Sequence, residues 1–149
     1  MKVAICSDEL YSINQFVVKE VKKYGHDVVL FGALKSHKTE SWAKTAQRAA
    51  ESILKGECEE GIFFCWTGTG ISMAANKLPG IRAALCVDAE TAKGARIWNH
   101  ANVLALSNRL LSADVAKEIL KAWFETPCGT KGTKGVQDLN ELDKKLRKK

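Results

Sequence analysis

The chain has 149 residues, of which 46% are hydrophobic and 27% charged, the size and balance of one ordinary globular domain. A chain of this length buries about 70% of its unfolded surface, so it needs neither disulfide nor metal to fold. Disordered and collagen-like classes are excluded, and no apolar run approaches the roughly 20 residues of a membrane span.

The formal charge is +6, but seven Lys/Arg against three Asp/Glu fall between Lys131 and Lys149. The excess therefore sits in a basic tail, which reads as a solvated segment, and nucleic acid is not expected as a partner. The short apolar stretch before Ser7-Asp8-Glu9 is not expected to be a secretory signal. The five cysteines are Cys6, Cys58, Cys65, Cys86 and Cys128. Their odd number and lack of a CxxC pair point to reduced thiols and a cytoplasmic location. The three histidines lie apart from them, so no metal site and no cofactor is expected.

In chain order, Val3 to Cys6 reads as a buried strand, and Ile13, Phe16, Val17 and Val21 recur at helical spacing up to a C-cap at Gly25. Val28 to Phe31 is a second strand, followed by a helix from about Ser41 to Lys55. Gly61 to Phe64 is a third strand. It empties into Cys65-Trp66-Thr67-Gly68-Thr69-Gly70, and a short helix follows over Ile71 to Lys77. Pro79-Gly80 is a turn before a fourth strand over Ile81 to Val87. Asp88 caps a helix reaching about Asn99, and Asn102 to Leu106 is the fifth strand. Ser112 caps a helix carrying Val115, Ala116, Ile119, Leu120, Trp123 and Phe124. After Pro127 the chain becomes Gly- and Thr-rich and ends in a charged helix. This alternation specifies an α/β fold: a Rossmann-like three-layer sandwich with a five-stranded, mainly parallel sheet and a C-terminal helical tail, about 128–149, all within a single domain.

Ligands bind beyond the carboxyl ends of strands in such sheets. That rule selects Ser7-Asp8-Glu9, the Cys65–Gly70 loop, Asp88 and Ser107-Asn108-Arg109. In the loop, Gly68 and Gly70 let the backbone turn with amides pointing inward, and the helix that follows adds unpaired N–H groups. Such a nest suits a phosphate or a developing oxyanion. Cys65 at its mouth is expected to be a partly exposed thiolate, a base or a nucleophile. The other four cysteines are read as structural. A dinucleotide fingerprint competes, because Asp88 lies 20 residues after Gly68; it fails because Met73 occupies the third small position and the loop does not open the first βαβ unit. A Walker loop is excluded because no G-K-[ST] follows.

Read on through Ser72-Met73-Ala74-Ala75-Asn76-Lys77 to Gly80-Ile81-Arg82-Ala83-Ala84, the chain resembles ribose-5-phosphate isomerase B and its galactose-6-phosphate isomerase relatives. Their pattern is C-G-T-G-x-G-x-S-x-A-A-N-K-x-x-G-x-R-A-A, with H-N-x-A-N-V later. The resemblance implies metal-free aldose–ketose isomerisation of a sugar phosphate through an enediolate, by default between ribose 5-phosphate and ribulose 5-phosphate. Cys65 matches the base; Gly68, Thr69 and Gly70 match the anion hole, and Ser72 belongs to the same motif. Thr67 and Asp8 match positions that contact the sugar and help open its ring, Asn99 one that orients hydroxyls, and Arg109 one that binds phosphate. A homodimer or homotetramer with the site at the subunit interface is also implied.

The departures are Glu9 in place of a histidine, Trp66 in place of a glycine, Trp98 in place of a histidine, and a new His100. All four join the candidate substrate-binding set. Lys131 and Lys134 stand where the family carries phosphate-binding arginines, as point charges without bidentate geometry. These changes point to altered ring opening and substrate choice: another sugar phosphate, an open-chain substrate or a non-phosphorylated sugar. A non-catalytic sugar-phosphate-binding subunit is the alternative from another class.

Overall fold

The structure, a computed structural model, describes residues 1–128 and 133–147. Its elements run β1 (Lys2–Ser7), α1 (Ser12–Lys23), β2 (Asp27–Gly32), α2 (Ala33–Ser36), α3 (Trp42–Leu54), β3 (Glu60–Cys65), α4 (Thr69–Ala75), β4 (Ala83–Leu85), α5 (Ala89–Asn99), β5 (Val103–Ser107), α6 (Ala113–Glu125) and α7 (Thr133–Arg147). The five strands pair in the order β2-β1-β3-β5-β4, and every pairing is parallel.

Both faces of the sheet are covered, as a parallel sheet requires. Val3, Ile5, Ile62, Phe64, Leu104 and Leu106 face one way and pack with Val17 and Val21 of α1, Ala92 of α5, and Ile119, Leu120 and Trp123 of α6. The alternate residues Ala4, Cys6, Phe63, Cys65, Val103 and Ala105 face the other way, onto Ala46, Ala49 and Ala50 of α3 and Ile71 and Ala75 of α4. Small residues on α3 bring its axis close to the strands. The expected three-layer architecture is present, and the sheet is wholly rather than mainly parallel.

Local chemistry sets the element ends. Asp88 accepts from the Thr91 N–H at 2.7 Å, and Ser112 accepts from the Val115 N–H at 3.2 Å, so both expected caps are in place. Two boundaries differ from the sequence reading. The helix expected from Ile71 begins at Thr69, because Gly68 takes φ +78° and turns the chain directly into it. The fourth strand, expected over Ile81 to Val87, is only Ala83–Leu85. It lies at the sheet edge, and its outer side is met by a side chain instead of a strand. The Asn76 Oδ1 accepts from the Ala83 N–H at 2.8 Å, and its Nδ2 donates to the Ala83 carbonyl at 2.9 Å. That amide satisfies backbone groups that an edge strand otherwise leaves open. The four-residue α2 had no signal in the sequence reading.

Candidate active site

The strand order reverses between β1 and β3: β2 lies on one side of β1 and β3 on the other. The crevice at their carboxyl ends is where an open parallel sheet offers space for a ligand. Asp8-Glu9 leaves one wall and Cys65–Gly70 the other.

Cys65 is the last residue of β3, paired in register with Ser107 of β5. Its side chain lies on the α3/α4 face and is only 5% exposed, so the expected partly exposed thiol is in fact buried. The strand tip ends inside the covering layer, not beyond it. Beside it, burial pushes the Cys6 thiol well above its ordinary value, and Asp8 and Cys65 add to that shift. Cys6 is therefore held protonated. The Cys86 thiol is likewise pushed up to about 12, by burial and then by Asp88. Cys58 is buried, whereas Cys128, read as structural, is exposed.

The loop after Cys65 is fixed by close packing. A Cβ on Gly68 would stand 2.5 Å from Leu85 Cδ1 and 3.0 Å from the Leu106 carbonyl carbon, so the loop presses onto β4 and β5 with no room for a side chain. A Cβ on Gly70 would stand 3.2 Å from the Trp42 ring. Thr67 is exposed, with its Oγ1 2.6 Å from Thr69 Oγ1. The first-turn amides of α4, at Thr69, Gly70 and Ile71, are those a helix leaves without internal partners. Ser72 is half-buried one residue further on, its N–H bonded to the Gly68 carbonyl at 3.3 Å.

Across the crevice, the Asp8 carbonyl accepts from the Glu40 N–H at 2.9 Å. The Asp8 Oδ1 is buried with no hydrogen-bond partner among the described residues. Burial first, and the Glu9 carboxylate second, push the Asp8 carboxyl above its ordinary range. A half-buried carboxyl with an unpaired oxygen is suited to exchanging a hydrogen bond or a proton with a hydroxyl placed against it.

The strand tips are tied by a network that joins Ser7 and Asn108, both selected by the strand-end rule, to Asn14 and Tyr11, which the sequence reading left without a role. Asn108 Nδ2 donates to Ser7 Oγ at 3.1 Å, and Asn14 Nδ2 donates to Asn108 Oδ1 at 2.7 Å. Asn14 Oδ1 in turn accepts from the Tyr11 N–H at 2.8 Å. This buried polar chain spans from β5 to β1 past the end of β3. The sequence signal for Asn14 is its place beside Ile13 on the buried stripe of α1. Tyr11 also donates its hydroxyl to Glu9 Oε2 at 2.6 Å, and its ring lies 5.5 Å from that of Trp66. Trp66 is 52% exposed, yet its carbonyl is pinned by Ser107 Oγ at 2.9 Å and the Arg109 N–H at 3.1 Å. Arg109 is exposed on the same rim.

The remaining candidates lie elsewhere. Helix α5 starts at Asp88, beyond the carboxyl end of β4, and its 11 residues carry the chain back about 16 Å to the opposite edge of the sheet. Trp98, Asn99 and His100 are therefore at the amino edge, away from Cys65. Trp98 lies across Gly94, where an added Cβ would be 2.7 Å from its ring. With Asn99 it lines a groove of about 580 Å³ against Leu85, Glu90 and Thr91. His100 takes φ +50° as the cap of α5 and is half-buried, its Nε2 turned inward with no hydrogen-bond partner among the described residues. Lys134 is on α7, paired with Asp138, and Lys131 lies outside the described residues.

The switch point of this doubly wound parallel sheet brings a thiol and a glycine-rich turn at one strand end next to a carboxyl at the neighbouring strand end, the position at which the α/β class of enzymes binds small molecules. The chain belongs to the ribose/galactose isomerase family, whose pattern it matches over residues 3–140. It is 35% identical over 124 residues to ribose-5-phosphate isomerase B of Escherichia coli K12, covering 83% of each chain. Over 80 residues, about half of each chain, it is 44% identical to a D-erythrulose-4-phosphate isomerase of Pectobacterium atrosepticum. The solved ribose-5-phosphate isomerase B of Clostridium thermocellum superposes with a TM-score of 0.90 at 36% identity, covering 98% of this chain and 99% of that one.

Proposed function

We propose that this chain interconverts an aldose phosphate and its ketose phosphate with Cys65 as the acid–base group. The observation that carries the reading is the placement of Cys65 directly before the Gly68–Gly70 turn at the β1/β3 crevice, in a chain of this family. The thiolate removes the proton on C2 of the aldose, and the C2–H electron pair becomes the C1=C2 bond of an enediolate. The amides of Thr69, Gly70 and Ile71 hold the charge on O1. The proton on sulfur is returned to C1, while the O2 hydroxyl proton passes to O1, leaving the carbonyl at C2. Nothing is oxidised or reduced overall. Asp8, with its unpaired oxygen, and Thr67 hold substrate hydroxyls, and Arg109 receives phosphate.

Ribose 5-phosphate and ribulose 5-phosphate are the default pair, although the relatives' names already cover four- and five-carbon sugars. Cys65→Ala is expected to lower turnover by about a thousandfold while leaving the circular dichroism spectrum intact. An undiminished rate of deuterium exchange at C2 rejects this role for the sulfur.

The separation of Asn99 from Cys65 supports a second part of the reading, that two copies of the chain complete each site. Asn99 and Trp98 of one copy then face the Cys65 crevice of the other. Cys65→Ala and Asn99→Ala are each expected to be inactive. Unfolded together and refolded, they should recover about a quarter of wild-type activity, because mixed pairs retain one site free of both lesions.

A further inference from the structure

We propose that Asn14, buried in α1, is a positioning residue of this site: through Asn108 and Ser7 it fixes the turn that presents Asp8 beside the Cys65 strand end. The inference rests on the isomerase reading, in which Cys65 and Asp8 act on one substrate.

Asn108 is bonded to the strands on both sides of the crevice. It is the first residue after β5, and its N–H donates to the Cys65 carbonyl at 2.9 Å. Its side chain reaches Ser7 Oγ, at the end of β1, at 3.1 Å. The Ser7 hydroxyl donates to the Glu9 carbonyl, two residues on, and the Glu40 N–H holds the carbonyl of Asp8 itself at 2.9 Å. The Asp8 carboxyl, with its unpaired Oδ1, sits in the turn that these bonds close.

The direction of every bond in the chain is forced from Asn14. The Tyr11 N–H can only donate, so Asn14 Oδ1 accepts it and Asn14 Nδ2 is turned to Asn108. Asn108 must then offer its oxygen to Asn14 and its Nδ2 to Ser7. Ser7 Oγ, receiving that N–H, has its single proton left for the Glu9 carbonyl. Without the Asn14 donor, the Asn108 amide can turn over, present its oxygen to Ser7 and draw the hydroxyl proton away from Glu9. Asn14, Asn108 and Ser7 are all buried, where a lost partner is costly to replace. A change inside α1 thus loosens the turn that carries Asp8, and misplacing such a group by about 1 Å costs on the order of a hundredfold in rate.

The test uses the full-length protein and the sugar phosphate that the wild type isomerises fastest among ribose 5-phosphate, erythrulose 4-phosphate and galactose 6-phosphate. Asn14→Leu keeps the branched shape of the side chain and removes both of its hydrogen bonds. Ser7→Ala removes the last link. Each is expected to lower kcat at least about tenfold with KM within about twofold, measured on protein whose near-ultraviolet circular dichroism matches wild type. The double variant should fall no further than the slower single one, because both cut the same chain. A purely structural residue would lower the urea midpoint and leave kcat per folded molecule unchanged. If Asn14→Leu does not fold, Asn14→Ala, which withdraws the amide without adding bulk, is measured in its place. A smaller loss of kcat in either folded single variant, or losses that multiply in the double, overturns the inference while the isomerase reading stands. Failure of the wild type to isomerise any of the three sugars overturns both.

Discussion

Gly68 carries a conformational demand that no other residue type meets at its position: φ is +78° and the place of a Cβ is taken by Leu85 and Leu106. Gly68→Ala is expected to cost about 1–3 kcal/mol of stability and to displace the anion nest, read as a lower urea midpoint with impaired turnover. Asp8 contributes in the opposite sense to an ordinary surface carboxylate. Its pKa is raised in the folded state, so its stabilising contribution is complete below the ordinary value of 3.8 and is lost as pH rises through the raised value. The urea midpoint of Asp8→Asn should therefore gain on that of wild type as pH is raised from below 3.8, and a constant difference would contradict the burial of that carboxyl. Cys65, Gly68 and Asp8 were legible in the sequence because each is marked by its immediate neighbours, a strand end or a glycine turn. The role of Asn14 was not, since it comes from Asn108, which the fold alone brings against it, and the Cys65 burial was hidden for the same reason.

Helix starts follow from single residues a few positions away, and the sequence reading recovered the caps at Asp88 and Ser112. Ser112→Ala is expected to cost about 1 kcal/mol in a denaturant titration. Strand ends depend on partners distant in the chain, and β4 shows the effect: its length is set by β5 on one side and by the Asn76 amide on the other. The amino edge of the sheet is held by a cluster equally invisible to local pattern. Arg96 pairs with Glu60 at 2.8 Å, stacks 4.7 Å from the Trp123 ring centroid, and donates to the Ala101 carbonyl at 2.8 Å. Trp123 Nε1 in turn donates to the other Glu60 oxygen at 2.9 Å. Glu60→Ala leaves a buried guanidinium without its counter-ion and should destabilise the chain by about 3–5 kcal/mol, far more than Ser112→Ala under the same titration.

At the scale of the molecule, alternating strands and helices sufficed to place the candidate segments at the carboxyl ends of the strands, since chain order and handedness leave few ways to wind such a sheet. The switch point between β1 and β3 is set by a strand order that local pattern does not carry. Nor did the pattern reveal that the candidate residues divide between the two edges of the sheet. That division follows from the length of α5, which is just sufficient to return the chain from Asp88 to the far side. The Asn76 amide on β4 has a related effect, because it turns an open strand edge away from ladder pairing, so that any pairing of copies along this side would fall to side-chain faces such as the Trp98 groove. If each crevice borrows its second wall from another copy, catalysis is a property of the pair and not of the polypeptide. Specific activity should then fall when the protein is diluted below its dissociation constant and return on concentration, so that the cell's supply of this chain sets both the number of catalysts and the fraction that are whole.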